Sequence, residues 1–262
     1  MNNELKTGII LTALIMLMLL ISFIWAPDHS KMDPDKRFLP PGQGYLLGTD
    51  NFGRDIFLRV IAGGKYTIIL ALCTVAAAAI LGSALGLTAG YTGGIADECI
   101  MRLMDAISSF PGILFALVMA ALMGNGQFTL FAALTVLFIP GFTRIIRSGA
   151  LQYKNADFIL AERLMGASHA RIIFIHILPN LTPSLFAAAA LGLSNAILAE
   201  SAMSYLGLGI QPPLPSWGRM LSESQNFLLN APWYALAPGL CIMLTVIAFH
   251  CLGDGLSRKN GY

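Results

Sequence analysis

Long apolar runs recur along this sequence and constrain its fold more than any other feature. Six predominantly hydrophobic runs are separated by shorter polar stretches. They extend over Gly8–Ala26, Thr67–Ala89, Pro111–Met123, Phe128–Ile146, Leu181–Leu208 and Trp233–Leu252. A helix needs about 20 apolar residues to cross the hydrocarbon core of a bilayer. The pattern therefore predicts an all-α integral membrane protein with a bundle of about six transmembrane helices.

The composition supports membrane lipid as the surrounding solvent. Hydrophobic residues make up 56% of the 262 residues and charged residues only 11%, whereas soluble domains carry about a quarter charged residues. A net charge of +2 without a basic run gives no reason to expect a nucleic-acid partner. The four cysteines and four scattered histidines lack the spacing of a zinc or disulfide framework. We expect neither a bound metal nor a cofactor.

The first run is predicted to be a retained span, because it is longer than the apolar core of a signal peptide. A polar stretch, Asp28–Lys65, follows it, and Gly53 and Arg54 between Asp50 and Asp55 indicate a structured turn there. Six spans would place both termini on one side. If that side is cytoplasmic, nine Lys and Arg residues lie inside and seven outside, which is the expected sign but a weak bias.

Several local patterns refine the spans. Gly82, Gly86 and Gly90 lie four residues apart, a row that allows close helix packing in lipid. The short third run predicts a helix that includes part of the preceding segment, where Arg102 and Asp105 can pair on one face. Pro140, followed by glycine, favours a kink in the fourth run.

The polar segment between the fourth and fifth runs predicts a helical elbow outside the membrane. Asp157 can cap a helix over Phe158–Met165, which Gly166 ends in a left-handed conformation. Ser168 can cap a second helix reaching about Ile177, and Pro179 discourages helix at the residue before it. Four residues form an apolar face at helical spacing: Phe158, Ala161, Leu164 and Met165. Such a face suits docking into a groove of another protein, although an amphipathic helix lying on lipid is the alternative.

At this point the chain resembles the bacterial ABC-transporter permeases for dipeptides, oligopeptides and nickel. The elbow is similar to the family's EAA loop, and its ending, His176–Asn180, also agrees. Further similar stretches follow in the family's order along nearly the whole chain. They are Leu47–Gly64, Gly90–Gly112 and Ala196–Leu221, followed by the motifs APWYALAPGL and LGDGL.

The resemblance implies a bundle of the MetI-like type found in binding-protein-dependent ABC importers. Residues 1–66 would form the N-terminal span and an extracytoplasmic segment, and residues 67–256 the permease domain with a cytoplasmic coupling loop at 153–180. Residues 257–262 would form the tail. The implied localisation is the cytoplasmic (inner) membrane, with both termini cytoplasmic.

The implied function is ATP-driven import of small peptides or nickel complexes. The implied partners are a homologous second permease subunit, two ATPase subunits and an extracytoplasmic solute-binding protein. The ATPases would dock on a coupling loop whose candidate residues are Phe158, Ala161, Glu162, Leu164, Met165, Gly166, Ala167, Ser168 and Pro179.

The sequence departs from the family pattern within the EAA loop itself. The family's Glu-Ala-Ala falls on Leu160, Ala161 and Glu162, so only the central alanine is kept. Docking would then depend more on Ala161, Gly166 and the helical shape than on the usual glutamate.

The sequence offers no catalytic residues, and Glu200 is its most costly side chain to place in lipid. Gly63-Gly64-Lys65 lacks the earlier glycine and the following Ser or Thr of a phosphate-binding loop. Glu200, with Ser201 and Ser204, is expected to face the translocation pathway or to tie two spans together; the alternative is that it reaches water at the outer end of its span.

An ion-coupled secondary transporter is the alternative function, but it would need more buried carboxylates and internal repeats.

Overall fold

The helices follow the apolar runs of the sequence. In the computed structural model, which describes residues 3–24, 28–42 and 44–259, every regular element is a helix. The longer elements are α1 Asn3–Ile24, α2 Ile56–Thr92, α3 Gly94–Ser108, α4 Gly112–Met123, α5 Gln127–Lys154, α8 Leu178–Tyr205 and α10 Pro232–Lys259. The shorter ones are α6 Asp157–Leu164, α7 His169–Arg171, a π-helix Ile172–Ile177, α9 Trp217–Ser224, and 3₁₀ turns at Pro34–Lys36 and Gln225–Phe227.

Five helices within the described residues are long and apolar enough to cross a membrane. They are α1, α2, α5, the continuous helix from α7 through α8, and α10. A sixth crossing is formed if α3 and α4 count as one span bent by 88°. The prediction of about six transmembrane helices is confirmed on that basis. The predicted ends of the first run and of the chain, at residues 25–26 and 260–262, lie outside the described residues.

Two predicted helix boundaries are wrong. The second span begins at Ile56 rather than Thr67, because the Asp55 carboxylate caps α2 by accepting from Phe57 N at 2.8 Å. The third run is not continued from the preceding helix. Residues 109–111 separate α3 from α4, and Pro111 is the N-cap residue of α4. Proline is tolerated there because the N–H of a cap residue takes no part in the helical hydrogen bonds.

Helix α5 continues through Pro140 without interruption, and it packs lengthwise on α2. The main core lies between these two helices, α8 and α10, where large side chains such as Ile68, Phe142, Ile197 and Trp217 are buried together. The indole of Trp217 donates to Val60 O at 2.9 Å and so holds the short helix α9 against the beginning of α2.

Helices α1 and α10 bring the described ends of the chain together. A Cβ on Gly8 would lie 2.6 Å from Leu252 N, and Arg258 Nη1 lies 2.9 Å from Glu4 Oε2. Ser257 of α10 lines a cavity together with residues near the end of α5. Both described ends therefore lie at the same end of the bundle as the elbow, opposite to α9.

Candidate functional site

The elbow between α5 and α8 begins with α6 and a tight turn. The Gly166 N–H donates to Arg163 O, and the Ala167 N–H donates to Glu162 O, both at 3.0 Å. These two bonds form a Schellman motif that satisfies carbonyls at the helix end. Gly166 has a φ of +80°, a conformation that side chains other than glycine adopt at a cost. The turn therefore sets the direction in which the chain leaves α6.

The two predicted caps have different outcomes. Ser168 Oγ accepts from Arg171 N at 3.3 Å and caps the helix that follows. The predicted cap by Asp157 is wrong, since Ala156 occupies the cap position and Asp157 is the first helical residue. There its carboxylate still lies near the positive end of the helix dipole.

The predicted end of the second helix before Pro179 is also wrong. Helix α7 continues through the π-helix into α8, so that one helix extends from His169 to Tyr205. The Leu178 N–H donates to Ile173 O, five residues earlier. This wider turn accommodates Pro179, which has no N–H for a regular helical bond. The elbow is therefore joined rigidly to a transmembrane helix.

One buried side chain fixes α6 to the bundle. Ile159 is fully buried in a cluster with residues of four other elements. These are Leu87 and Tyr91 of α2, Ile146 and Ala150 of α5, Ile172 and Ile177 of the π-helix, and Leu181 of α8. A shift of α6 would disturb this cluster, so the elbow cannot move without moving the ends of these helices.

Polar contacts add to this attachment. The Tyr91 hydroxyl and His169 Nδ1 are 2.7 Å apart, and the Arg163 guanidinium lies over the Tyr91 ring at 5.5 Å. His176 Nε2 lies 3.5 Å from Glu162 Oε2. Sequence reasoning did not assign a role to either histidine, because Tyr91 is 78 positions from His169 and no local spacing joins them.

The opposite face of the elbow is apolar and exposed. Leu164 is 90% exposed and Met165 73%, and Phe158 and Ala161 are exposed beside them. Leu160, which the predicted face left out, is also exposed. Large apolar side chains gathered on one small surface are typical of protein-interaction sites.

The glycine row lies directly against α5. A Cβ on Gly82 would lie 2.6 Å from Phe142 Cβ, one on Gly86 2.6 Å from Thr143 O, and one on Gly90 2.7 Å from Ala150 Cβ. Contacts this short leave no room for a methyl group. The two helices therefore touch through backbone atoms along a seam of more than two turns.

Glu200 is completely buried near the end of α8. Its carboxylate accepts from the Ser204 hydroxyl at 2.7 Å and from the Ser201 hydroxyl at 3.4 Å. The Thr67 side chain of α2 also hydrogen-bonds to it, and Thr67 Oγ1 accepts from Trp217 N at 3.3 Å. These contacts connect α8 with α2 and, through Thr67, with α9, and they leave no part of the carboxylate at the surface of the described chain.

A buried ionic cluster at the same end of the bundle was missed by sequence reasoning. Arg54 Nε lies 2.6 Å from Asp50 Oδ2, and Arg59 Nη2 lies 2.8 Å from Glu223 Oε2. The Tyr234 hydroxyl donates to the same Glu223 oxygen at 3.0 Å. The predicted turn between Asp50 and Asp55 is present, but the pairing of Arg59 with Glu223 joins residues 164 positions apart. The cluster joins the segment before α2 to α9 and to the beginning of α10.

Residues 82–261 match the sequence profile of a known family, the inner membrane components of binding-protein-dependent transport systems. This chain belongs to that family. The matched residues of the permease include the glycine row, the elbow and Glu200, whereas Asp50, Arg54 and Arg59 precede them.

Curated relatives cover nearly the whole permease. A dipeptide transport permease of Alkalihalophilus pseudofirmus is 38% identical over 248 residues, which cover 95% of this chain and 82% of the relative. A glutathione transport permease of Pectobacterium atrosepticum is also 38% identical, with 92% and 82% covered. A di/tripeptide transport permease of Pseudomonas aeruginosa is 37% identical, with 93% and 84% covered.

Solved structures support the fold of the permease. A chain of the MetNI methionine ABC transporter in an inward-facing conformation superposes with a TM-score of 0.65 at 17% identity. The superposition covers 79% of this chain and 98% of that chain. A second structure of the same transporter gives a TM-score of 0.63 at 20% identity. The predicted MetI-like bundle is confirmed.

Proposed function

We propose that this permease moves small peptides inward across the cytoplasmic membrane and that the elbow couples it to ATP hydrolysis. The main support for this proposal is the geometry of α6. Its Ile159 is buried among the ends of three transmembrane helices, and its Leu164 is exposed on the opposite face. A partner that moves the exposed face would move the helices behind it. The names of the relatives, which transport dipeptides and glutathione, support peptides as the solute.

The proposed assembly has the composition that the family resemblance implies. This chain would pair with a homologous second permease subunit, two ATPase subunits and an extracytoplasmic solute-binding protein, with lipid around the bundle. The chain itself would be non-catalytic, and nucleotide hydrolysis would belong to the ATPases. The candidate docking residues of the coupling loop, 153–180, remain Phe158, Ala161, Glu162, Leu164, Met165, Gly166, Ala167, Ser168 and Pro179.

The proposed orientation places both termini and the elbow in the cytoplasm. Arg258 of α10 pairs with Glu4 of α1, and Ser257 shares a cavity with Gln152 near the end of α5, from which the elbow continues. The described ends and the elbow therefore share one end of the bundle. In this arrangement residues 1–66 supply the first span and an extracytoplasmic segment, residues 67–256 form the permease domain, and residues 257–262 form a cytoplasmic tail. α9 and the ionic cluster then face the binding protein.

We propose that Glu200, with Ser201 and Ser204, ties α8 to α2 and α9. Glu200→Leu should insert normally but lose about 1–3 kcal/mol of stability, because it leaves buried hydroxyls without their acceptor. Its uptake should fall as well, whereas Glu200→Gln, which keeps one carbonyl acceptor, should stay close to wild type. Thermal unfolding in detergent and uptake in cells measure the two effects. Normal stability with lost uptake in the leucine variant would instead place Glu200 in the pathway, and wild-type values for both would remove it from either role.

Uptake in cells tests the proposed function directly. Cells that lack other peptide importers would express the full transporter with or without this chain, and uptake of a radiolabelled dipeptide and of nickel would be compared. We expect dipeptide uptake that depends on this chain, stops on ATP depletion and survives collapse of the proton and sodium gradients. Uptake of nickel alone would contradict the proposed solute. Uptake driven by an ion gradient without ATPase subunits would identify an ion-coupled secondary transporter instead.

A further inference from the structure

A groove of about 380 Å³ opens between the beginning of α5 and the part of α2 beside it. Its lining is polar at one end and apolar at the other. The polar side chains are Lys65, Tyr66 and Gln127, and the apolar ones are Ile69, Leu70, Cys73, Phe128 and Phe131. Small-molecule sites typically have volumes of about 300–1,000 Å³, with mostly apolar walls and a few polar groups. The groove therefore has the size and the lining of a site for an amphiphilic molecule.

The polar end of the groove lies where three apolar runs of the chain begin or end. Lys65 comes two positions before the run Thr67–Ala89, and Gln127 directly precedes the run Phe128–Ile146. The Nζ atom of Lys65 lies 4.3 Å from the centroid of the Phe23 ring, and Phe23 is the last residue but one of α1. The groove therefore begins at a membrane surface. This surface is the one opposite to the elbow, because the elbow follows the other end of α5.

The apolar end of the groove continues into the membrane along both helices. Ile69 and Cys73 follow Lys65 at intervals of four residues on α2, so this wall is about 12 Å long. Phe128 and Phe131 form the opposite wall on α5. Cys73 is exposed and Phe128 is 67% exposed, so the groove is open sideways. A hydrocarbon chain can therefore enter it from the surrounding lipid.

Lys65 brings a positive charge to the mouth of the groove. Among the described residues, no carboxylate oxygen lies within 4.0 Å of its Nζ atom. The side chain is half-buried, and the ring of Phe23 holds the ammonium group in place by a cation–π contact. A lysine that only extends its charge towards water needs no groove beside it. Basic side chains beside a pocket between transmembrane helices are instead typical of sites for anionic lipid headgroups.

We propose that this groove binds one anionic phospholipid from the leaflet opposite to the elbow. The headgroup phosphate would pair with Lys65, with the Gln127 amide as a further donor, and one acyl chain would lie between Cys73 and Phe131. The order of polar and apolar side chains along the groove matches the order of headgroup and chain in a bilayer. The second permease subunit is the competing occupant, but lysine is depleted in the core of protein interfaces. The inference does not depend on which solute the permease carries.

Photolabelling of the assembled transporter in detergent tests this proposal. A phosphatidylglycerol with a photoreactive group in one acyl chain would be titrated, and the labelled peptides of this chain would be mapped. We expect saturable labelling of the groove walls, residues 65–73 and 127–131. Lys65→Gln should weaken the apparent affinity about fivefold, which is the effect of one basic residue on an anionic lipid. Lys31→Gln removes the same charge from an exposed position before α2 and should leave the affinity unchanged.

A second pair of variants tests the apolar end of the groove. Cys73→Trp would fill the space of the acyl chain and should abolish the labelling, whereas Leu72→Trp, at an exposed neighbouring position outside the lining, should not. Labelling that survives both Lys65→Gln and Cys73→Trp unchanged would overturn the proposal, as would equal affinity for a photoreactive phosphatidylcholine. Displacement by free glycerol 3-phosphate would overturn it in favour of a soluble phosphate. A crosslink from Cys73 to the second permease subunit would overturn it in favour of a protein contact.

Discussion

Leucine in place of Gly86 should prevent the permease from accumulating as a folded protein. A Cβ at this position would lie 2.6 Å from Thr143 O and 3.0 Å from Arg147 N. Both are backbone atoms of α5, which cannot rotate aside as a side chain can. The two helices would have to separate along their whole seam. They would lose the close van der Waals packing that holds helices together in lipid, where the hydrophobic effect does not drive their association. Even Gly86→Ala should cost about 1–3 kcal/mol, the usual range for overpacking.

A matched glycine on the facing helix provides the control. Gly141 of α5 has no described atom within 4 Å of its would-be Cβ, so Gly141→Ala should be neutral or slightly stabilising through the better helix propensity of alanine. Abundance in the membrane and thermal unfolding in detergent measure both variants. If Gly86→Ala and Gly141→Ala unfold at the same temperature, the seam does not hold α2 and α5 together.

The local parts of this fold could be predicted from the sequence. A row of glycines at one spacing, an apolar run of sufficient length, and a glycine followed two positions later by a capping serine all act within a few residues. For this reason the positions of Gly82, Gly86 and Gly90, the Gly166 turn and the Ser168 cap all follow from short patterns.

Features that depend on distant residues could not be predicted. Helix α2 extends ten residues into a polar stretch because Asp55 caps it and because Glu223 of α9, 164 positions along the chain, neutralises Arg59. Asp105 pairs with Arg144, 39 positions away, rather than with its neighbour Arg102. Pro179 does not end the helix. The π-helix before it makes a wider turn, which accommodates a residue that has no N–H for a regular helical bond. In each case tertiary packing overrides a valid local signal.

The coupling elbow gives the second large expected effect: Leu164→Glu should separate the permease from its ATPases. Leu164 is 90% exposed, so its replacement should leave the fold intact. A charge in the middle of an apolar docking surface should cost at least about 2 kcal/mol of association, roughly a 30-fold loss of affinity. We expect loss of ATPase co-purification and of dipeptide uptake at unchanged thermal stability of the permease.

Two controls distinguish docking from a general effect of charge. Leu164→Met keeps the apolar surface and should retain the ATPases, while Leu229→Glu places the same charge on a fully exposed leucine just before α10, at the opposite end of the bundle. If Leu229→Glu also releases the ATPases, the effect is not specific to the elbow. If Leu164→Glu keeps both the ATPases and uptake, the exposed face of α6 is not the docking surface. Ile159 and the buried cluster behind it would then attach an elbow that no ATPase moves, and coupling would have to enter the bundle elsewhere.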